Sequence, residues 1–437
     1  MFDVIVIGAG ASGMLAAYSA ARRGARVLLL EKNEKAGKKI YITGKGRCNL
    51  TNACDMEDFF DSVVNGRKFL YHAVYSFAPA DMMELLEENG CHVKTERGNR
   101  VFPVSDHASD VTAALLKALK NEGIKIMYNT PAAEILTRPG SGDTAEGSGI
   151  PEEAVRGIKT AYGEVFEAPA VVVCTGGLSY PATGSTGDGY RFARAAGHTL
   201  VKQRPSLVPV EVSEKWCSSL QGLSLKNVEL TAYEEGKKKA LYSGFGEMLF
   251  THFGISGPLV LSLSSYLDFT DSSKEHPKRY LLFLDLKPAL SIEQLTARIK
   301  REFEAAPGRS FANILRTLFP ARLSSVMASL SGIDPERKAS SLNEKEIGEL
   351  ALLTKKVPLT AVRTRGFSEA VITGGGISLK EINSSTMGSK LVRGLFFAGE
   401  VMDADALTGG FNLQIAWSTG YLAGSNAADL ANEAVRE

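Results

Sequence analysis

Phe2-Asp3-Val4-Ile5-Val6-Ile7-Gly8-Ala9-Gly10-Ala11-Ser12-Gly13, running on into the alanine-rich stretch that ends at Arg23, is the part of this sequence whose reading decides the fold. A β-branched apolar run gives a buried strand, a glycine turn follows, and Ser12 to Arg23 has helical spacing. Ala25 to Glu31 is a second apolar strand, so the first 31 residues form a βαβ unit. Gly8, Gly10 and Gly13 fit G-x-G-x-x-G, and Glu31 stands 18 residues after Gly13, at the end of the second strand. Glycines there let the backbone approach a pyrophosphate. The helix start at Ala11 and Ser12 offers N–H groups and partial positive charge, and Glu31 accepts hydrogen bonds from ribose hydroxyls. The reading is dinucleotide binding; the plainer alternative is a glycine turn that only packs helix on strand.

Outward from this unit, helical periodicity returns at 68–89 and 109–122, with strand-like Ile124–Tyr128 and Ala132–Thr137 after it. The Gly-, Ser- and Pro-rich stretch 138–153 reads as a mobile hairpin tip. Val155–Ala161 and Val165–Ala168 lead to the apolar strand Ala170–Cys174, which stops at Thr175-Gly176-Gly177. Short alternating runs such as Val208–Val212, Val228–Tyr233 and Tyr280–Leu286 suggest an inserted β-rich domain, whereas Leu295–Phe303, Phe311–Leu318 and Leu323–Leu330 have helical spacing. Pro358 to Val371 returns through the β-rich part, and Gly394–Ala398 is a strand leading to a final helix near 413–430.

Bulk properties set limits. The 437 residues favour two or three compact units, and 44% hydrophobic with 23% charged residues is ordinary for a soluble globular chain. Lys plus Arg number 50 against 49 Asp plus Glu, so no global field favours phosphate backbones or anionic lipid, and neither nucleic acid nor membrane is expected as a partner. The five cysteines (48, 54, 91, 174, 217) contain no C-x-x-C pair and are odd in number, which suits reduced thiols and a cytoplasmic location. The N-terminus lacks a basic leader, no run of 18 apolar residues occurs, and no cluster has metal-ligand spacing. Oligomeric state is not readable.

The fingerprint alone does not separate FAD from NAD. Its place at the N-terminus, paired with a glycine-rich acidic segment near the C-terminus, is the arrangement of two-dinucleotide-binding-domain flavoproteins and points to FAD. That segment is Gly394-Leu395-Phe396-Phe397-Ala398-Gly399-Glu400-Val401-Met402-Asp403, followed by Thr408-Gly409-Gly410-Phe411-Asn412-Leu413-Gln414. Glu400 suits the ribityl hydroxyls, Asp403 is a second candidate, and helix-start N–H groups at Asn412 and Leu413, after Gly410, would face the N1–C2=O edge of the ring. A dipole there stabilises reduced flavin. An ordinary helix cap after a Gly-Gly loop is the plainer alternative.

Together with Gly44-Lys45-Gly46-Arg47-Cys48-Asn49-Leu50-Thr51-Asn52 and Thr251-His252-Phe253-Gly254-Ile255-Ser256-Gly257-Pro258, these motifs resemble the BaiN/YhiN-like (aminoacetone-oxidase-type) family of FAD-dependent oxidoreductases over nearly the whole chain. The resemblance implies an α/β fold: a Rossmann-like FAD domain built from both chain ends (1–199 and 367–437), an inserted β-rich, barrel-like domain (200–288 and 353–366), and a helical subdomain (289–352). It also implies that Arg47, Cys48 and Asn49 lie along the FAD, that Lys38, Lys39 and Gly44 line the approach, and that Ala132 contacts adenine through its backbone. Amine oxidation and reduction of enones in 3-oxo bile acids are both associated with the family.

Cys48 and Cys54 invite a disulfide-reductase reading, but five residues separate them where those enzymes have four, so Cys48 is expected to pack against the flavin. The basic run Lys32, Lys35, Lys38, Lys39, Lys45 and Arg47 is expected to meet cofactor phosphate or solvent rather than RNA. His252 and Tyr180 are candidate proton donors to a small-molecule substrate beside the flavin; each also has an ordinary structural reading. The leading expectation is hydride transfer through FAD, with NAD(P)H a possible electron donor and an enone the favoured acceptor. The alternatives are an amine oxidase, a flavin-dependent RNA-modifying factor and a non-catalytic flavin sensor.

Overall fold

The computed structural model describes residues 2–139, 153–273 and 275–436; of the expected hairpin tip, 140–152 lie outside the described residues. The chain divides into two units, one built from 1–206 with 367–437 and the other from 207–366.

The first unit is a parallel sheet. Val4–Ile7 lies at its centre, buried at all four positions, between Val27–Leu30 on one side and Ala170–Val173 on the other. Lys125–Met127 and Leu395–Phe397 form the outer strands, all in parallel register. Strands that are apolar without alternation need both faces covered, and this sheet is covered. The order reverses direction between Val4–Ile7 and Ala170–Val173. Their C-terminal ends therefore open a crevice of the kind in which such folds bind ligands.

Helices Ala11–Arg22 and Phe411–Arg436 cross in direct backbone contact. A Cβ on Gly420 would stand 2.2 Å from the Ser12 carbonyl oxygen, and one on Gly424 2.0 Å from that of Ala16. The expected helical stretch 68–89 is two helices, Arg67–Ser76 and Pro79–Glu88, because Pro79 cannot continue a helix and instead begins one.

The second unit contains a closed barrel of six strands: Val210–Val212, Gly254–Ser256, Tyr242–Phe250, Ser224–Glu234, Tyr280–Asp285 and Val357–Thr364, the last pairing back to the first. Between the last two strands run the helices Ile292–Ala305, Phe311–Leu318, Ala321–Ser331 and Glu344–Lys355. Ser291 with Gln294 and Asn343 with Glu346 form capping boxes at two of their starts.

One boundary differs from the sequence reading. Leu200–Ser206, expected in the insert, pairs antiparallel with Ile372–Ile377 and belongs to the first unit. Its partner contains Gly374-Gly375-Gly376, a composition of low strand propensity. A Cβ on Gly375 would stand 2.3 Å from the Lys202 carbonyl oxygen, so this strand requires glycine.

Candidate flavin site

The crevice at the end of the first strand is shaped by glycines. Gly8 has φ +102°, and a Cβ on it would lie 2.6 Å from the Cys174 carbonyl oxygen; one on Gly13 would lie 1.7 Å from that of Gly8. A Cβ on Gly10 meets no protein atom within 4 Å, so the space a pyrophosphate would take is open. The helix begins at Ala11 with no side-chain cap, and its first internal bond is Met14 N–H to Gly10 C=O. The N–H groups of Ala11, Ser12 and Gly13 thus precede the ladder, at the positive end of the helix dipole. Glu31, nearly buried, accepts from Ala9 N–H at 2.9 Å through Oε2 and from the Asn33 N–H at 2.8 Å through Oε1. It is held at the crevice rim, with Thr130 N–H bonded to its backbone carbonyl on the way to Ala132.

The basic stretch disperses. Lys32 pairs with Asp188 at 2.6 Å and Lys38 with Glu34 at 3.1 Å. Arg47 stacks over Phe102 and is bound by Asp106 and Glu96, which hold it in place. The loop around Arg47 is folded by left-handed residues: Gly44, where a Cβ would stand 2.7 Å from Asn49 N, then Lys45 and Cys48, the latter at φ +58°. Burial pushes the Cys48 thiol up to about 12, with a Thr43 hydrogen bond opposing, which disfavours the thiolate at neutral pH. All five cysteines are free.

Lys39 is different, because it turns inward. Its Nζ donates to Glu400 Oε2 and to Ser179 Oγ, each at 2.5 Å, while Glu400 Oε1 accepts from Ser179 Oγ at 2.6 Å and from Thr373 N–H at 2.9 Å. This network joins the Lys38–Ile42 helix, which follows the first βαβ unit, to the Gly176-Gly177 turn, the Ile372–Ile377 strand and the C-terminal segment. A Cβ on Gly177 would meet Thr373 Oγ1 at 2.4 Å, and one on Gly399 would meet Ser12 Oγ at 2.6 Å, so both glycines are required by packing.

The last helix starts against the Cys48–Asn52 segment. A Cβ on Gly410 would stand 2.3 Å from the Thr51 carbonyl oxygen; Gln414 Oε1 accepts from Thr51 Oγ1 at 2.6 Å, and Trp417 Nε1 donates to Leu50 C=O at 2.9 Å. The first internal bond is Gln414 N–H to Gly410 C=O, which leaves the N–H groups of Asn412 and Leu413 ahead of the ladder. The Asn412 side chain turns back instead, accepting from Ala406 N–H at 2.9 Å and donating to Ala406 C=O at 2.7 Å.

Buried polar atoms without partners test whether a dinucleotide fits. Asn49 Oδ1 and Thr175 Oγ1 are buried and lack a hydrogen-bond partner, and such groups rarely stay unsatisfied in a complete structure. Both lie in segments named by the sequence motifs. With the open space at Gly10 and N–H groups ahead of the ladder at two helix starts, the donor set fits FAD.

Tyr180 sits in the first unit at φ +51°, uncommon for a bulky residue, with its N–H bonded to the Phe367 carbonyl at 3.1 Å. His252 belongs to the second unit, exposed in the turn after Phe250, its ring edge-on to Phe253 at 4.9 Å. Ala132 opens the strand Ala132–Pro139 and pairs with Thr160. Ser179 and Thr373 were invisible to sequence reasoning because hydroxyl residues beside glycines are common; only the carboxylate they serve had a motif. Among the described residues, no helix is long and apolar enough to cross a membrane and no group of acids, histidines and cysteines could hold a metal.

Comparison with known proteins agrees with this geometry. The family model for the HI0933-like protein Rossmann domain matches residues 2–426. The chain is 32% identical over 428 residues to a 3-dehydro-bile acid delta(4,6)-reductase of Clostridium scindens, covering 97% of this chain and 98% of that protein. It is 30% identical over 419 residues to a ribosomal RNA dihydrouridine synthase of Haemophilus influenzae, covering 95% and 96%. A solved 3-ketosteroid delta1-dehydrogenase from Sterolibacterium denitrificans superposes with TM-score 0.51 at 15% identity, covering 98% of this chain and 99% of that one, a likeness of fold. The chain belongs to the HI0933-like Rossmann family and is a FAD-dependent oxidoreductase.

Proposed function

We propose that this enzyme saturates a carbon–carbon double bond conjugated to a carbonyl, using electrons from NAD(P)H. One observation carries the reading: the relatives' names, a bile acid delta(4,6)-reductase and a dihydrouridine synthase, both denote saturation of a ring double bond, on very different substrates. A 3-oxo bile acid with a Δ4 double bond is an enone, and the uracil ring carries its C5–C6 double bond in conjugation with C4=O. In both, hydride is added at the β-carbon and a proton at the α-carbon. When bound, FAD supplies the hydride.

The chain's own residues bind and orient. In this proposal the N–H groups of Ala11–Gly13 receive the pyrophosphate and Glu31 the adenosine ribose. Lys39 and Ser179 hold Glu400 for the ribityl chain. The start of the last helix at Asn412 and Leu413 supports negative charge at the ring edge. Tyr180, in the same unit as the crevice, is the proposed proton donor. A steroid-like enone is the favoured substrate, given a chain with no net basic field; the relatives named for ribosomal RNA favour a uracil ring as the second reading.

The test is anaerobic. Purified protein is titrated with NADH and NADPH, then challenged with a Δ4-3-oxo bile acid or with unmodified ribosomal RNA. Bleaching of the flavin bands and their return on one acceptor establishes the reaction and chooses the substrate. Flavin that no nicotinamide reduces, but that an amine does, would replace the proposal with an oxidase.

A further inference from the structure

Three carboxyl groups, Glu400, Asp403 and Asp405, lie in the C-terminal segment of the first unit, and the charges of Asp403 and Glu400 act on Asp405. Lys39 binds Glu400. Arg204 lies over Gly374, its guanidinium carbon 3.2 Å from where a Cβ would stand, and its charge acts on both Asp403 and Asp405.

Hydrogen bonding decides which carboxyl yields. Glu400 accepts three hydrogen bonds. Asp405 is 2% exposed, takes one long bond of 3.4 Å from Ser206 Oγ to Oδ2, and has nothing on Oδ1. A buried carboxylate with an empty oxygen is costly, and protonation removes the cost. The groups acting on it are Arg204 and Ser206 from the neighbouring strand, and Asp403 and Glu400 from its own segment. Tyr190, whose buried hydroxyl also lacks a partner, faces Glu400 and Asp403. Burial pushes Asp405 up to about 6, with Asp403 and Glu400 adding to the rise and Arg204 opposing it.

We propose that Asp405 stores a proton for the reaction, its carboxylate taking one up when the flavin is reduced. The inference rests on the flavin reading above. The balance is simple: two electrons and one proton entering the flavin add one negative charge to the site, and one further proton on Asp405 cancels it. Asn412, at the start of the last helix, holds both backbone groups of Ala406, so Asp405 is tied to the helix end proposed to meet that charge. One charge added in a shared low-dielectric region raises a carboxyl's proton affinity about tenfold or more.

The experiment reduces the holoprotein electrochemically in weak buffer and counts protons taken up with a pH indicator, reading flavin content in the same cell. Wild type is expected to take up more than one proton per flavin, the excess peaking between about pH 6 and 7, and Asp405→Asn is expected to remove that excess. Equal counts in the two proteins would overturn the proposal. Infrared spectra of cofactor-free protein separate it from the flavin reading. The C=O stretch of a protonated carboxyl should grow in as pH falls through about 6, be absent from Asp405→Asn, and shift its midpoint upward in Arg204→Gln. A midpoint unmoved by Arg204→Gln would also overturn it, even if Asp405→Asn does not fold.

Discussion

Gly10 and Gly13 carry the same letter in the motif for opposite reasons. Gly13 is pressed against the Gly8 carbonyl, whereas Gly10 faces open space. Gly13→Ala should therefore cost fold stability, seen as a lower Tm of the cofactor-free protein. Gly10→Leu should leave that Tm nearly unchanged while abolishing the flavin absorbance of the purified protein; retained flavin would remove this loop from the site. Thiols offer a second check. Cys48, Cys174 and Cys217 are buried and pushed up to about 12, so at about pH 8 a thiol reagent should modify half-buried Cys54 first and the other thiols only on unfolding. Asp405 makes a stability prediction with a definite sign. Its folded value, about 6, lies above its ordinary 3.8, so the stability it contributes is fully present below the ordinary value and is lost as pH rises through 6. The difference is about 3 kcal/mol. Asp405→Asn should raise Tm at about pH 8 and leave it unchanged near pH 4; the reverse would mean that the carboxylate is satisfied.

Among the elements, the crossing of the first and last helices is the most exacting. Gly420 and Gly424 meet backbone, which cannot move aside as a side-chain tip can. Gly424→Ala should cost about 1–3 kcal/mol by forcing the helices apart, measurable as a lower denaturation midpoint with an unchanged m-value. The same close approach explains what was legible in the sequence. The first strand, the first helix and Glu31 could be read because an apolar run, a glycine turn and an acid at fixed spacing have one good interpretation. Ile372–Ile377 and Tyr242–Phe250 were not recognised as strands, since glycine has low strand propensity and neither signals the neighbour that makes it necessary. Likewise Glu400 stood out by its place after a buried strand. Ser179, Thr373 and Asp405 gain meaning only from partners far along the chain.

For the whole molecule, the point where the second unit leaves the first is itself a paired strand: Ser206 and Ile372 are register partners. Joining 206 to 367 through a short Gly/Ser linker closes a smaller loop than the natural insert, and loop closure grows only slowly with length. The excised first unit should therefore fold and bind FAD, checked by flavin absorbance after gel filtration. A folded but flavin-free product would show that the insert contributes to cofactor binding. The interleaved layout has one more consequence, for synthesis. The central strand Val4–Ile7 is made first, yet the sheet is not finished until Leu395–Phe397 and the helix behind it are translated. At about 5–20 residues per second, roughly 20–80 s pass between them. During that interval the barrel insert can fold on the ribosome, while Ala170–Val173 waits with one apolar edge uncovered. Nascent chains stalled before residue 395 should be the aggregation-prone species, and the ones that depend on a chaperone.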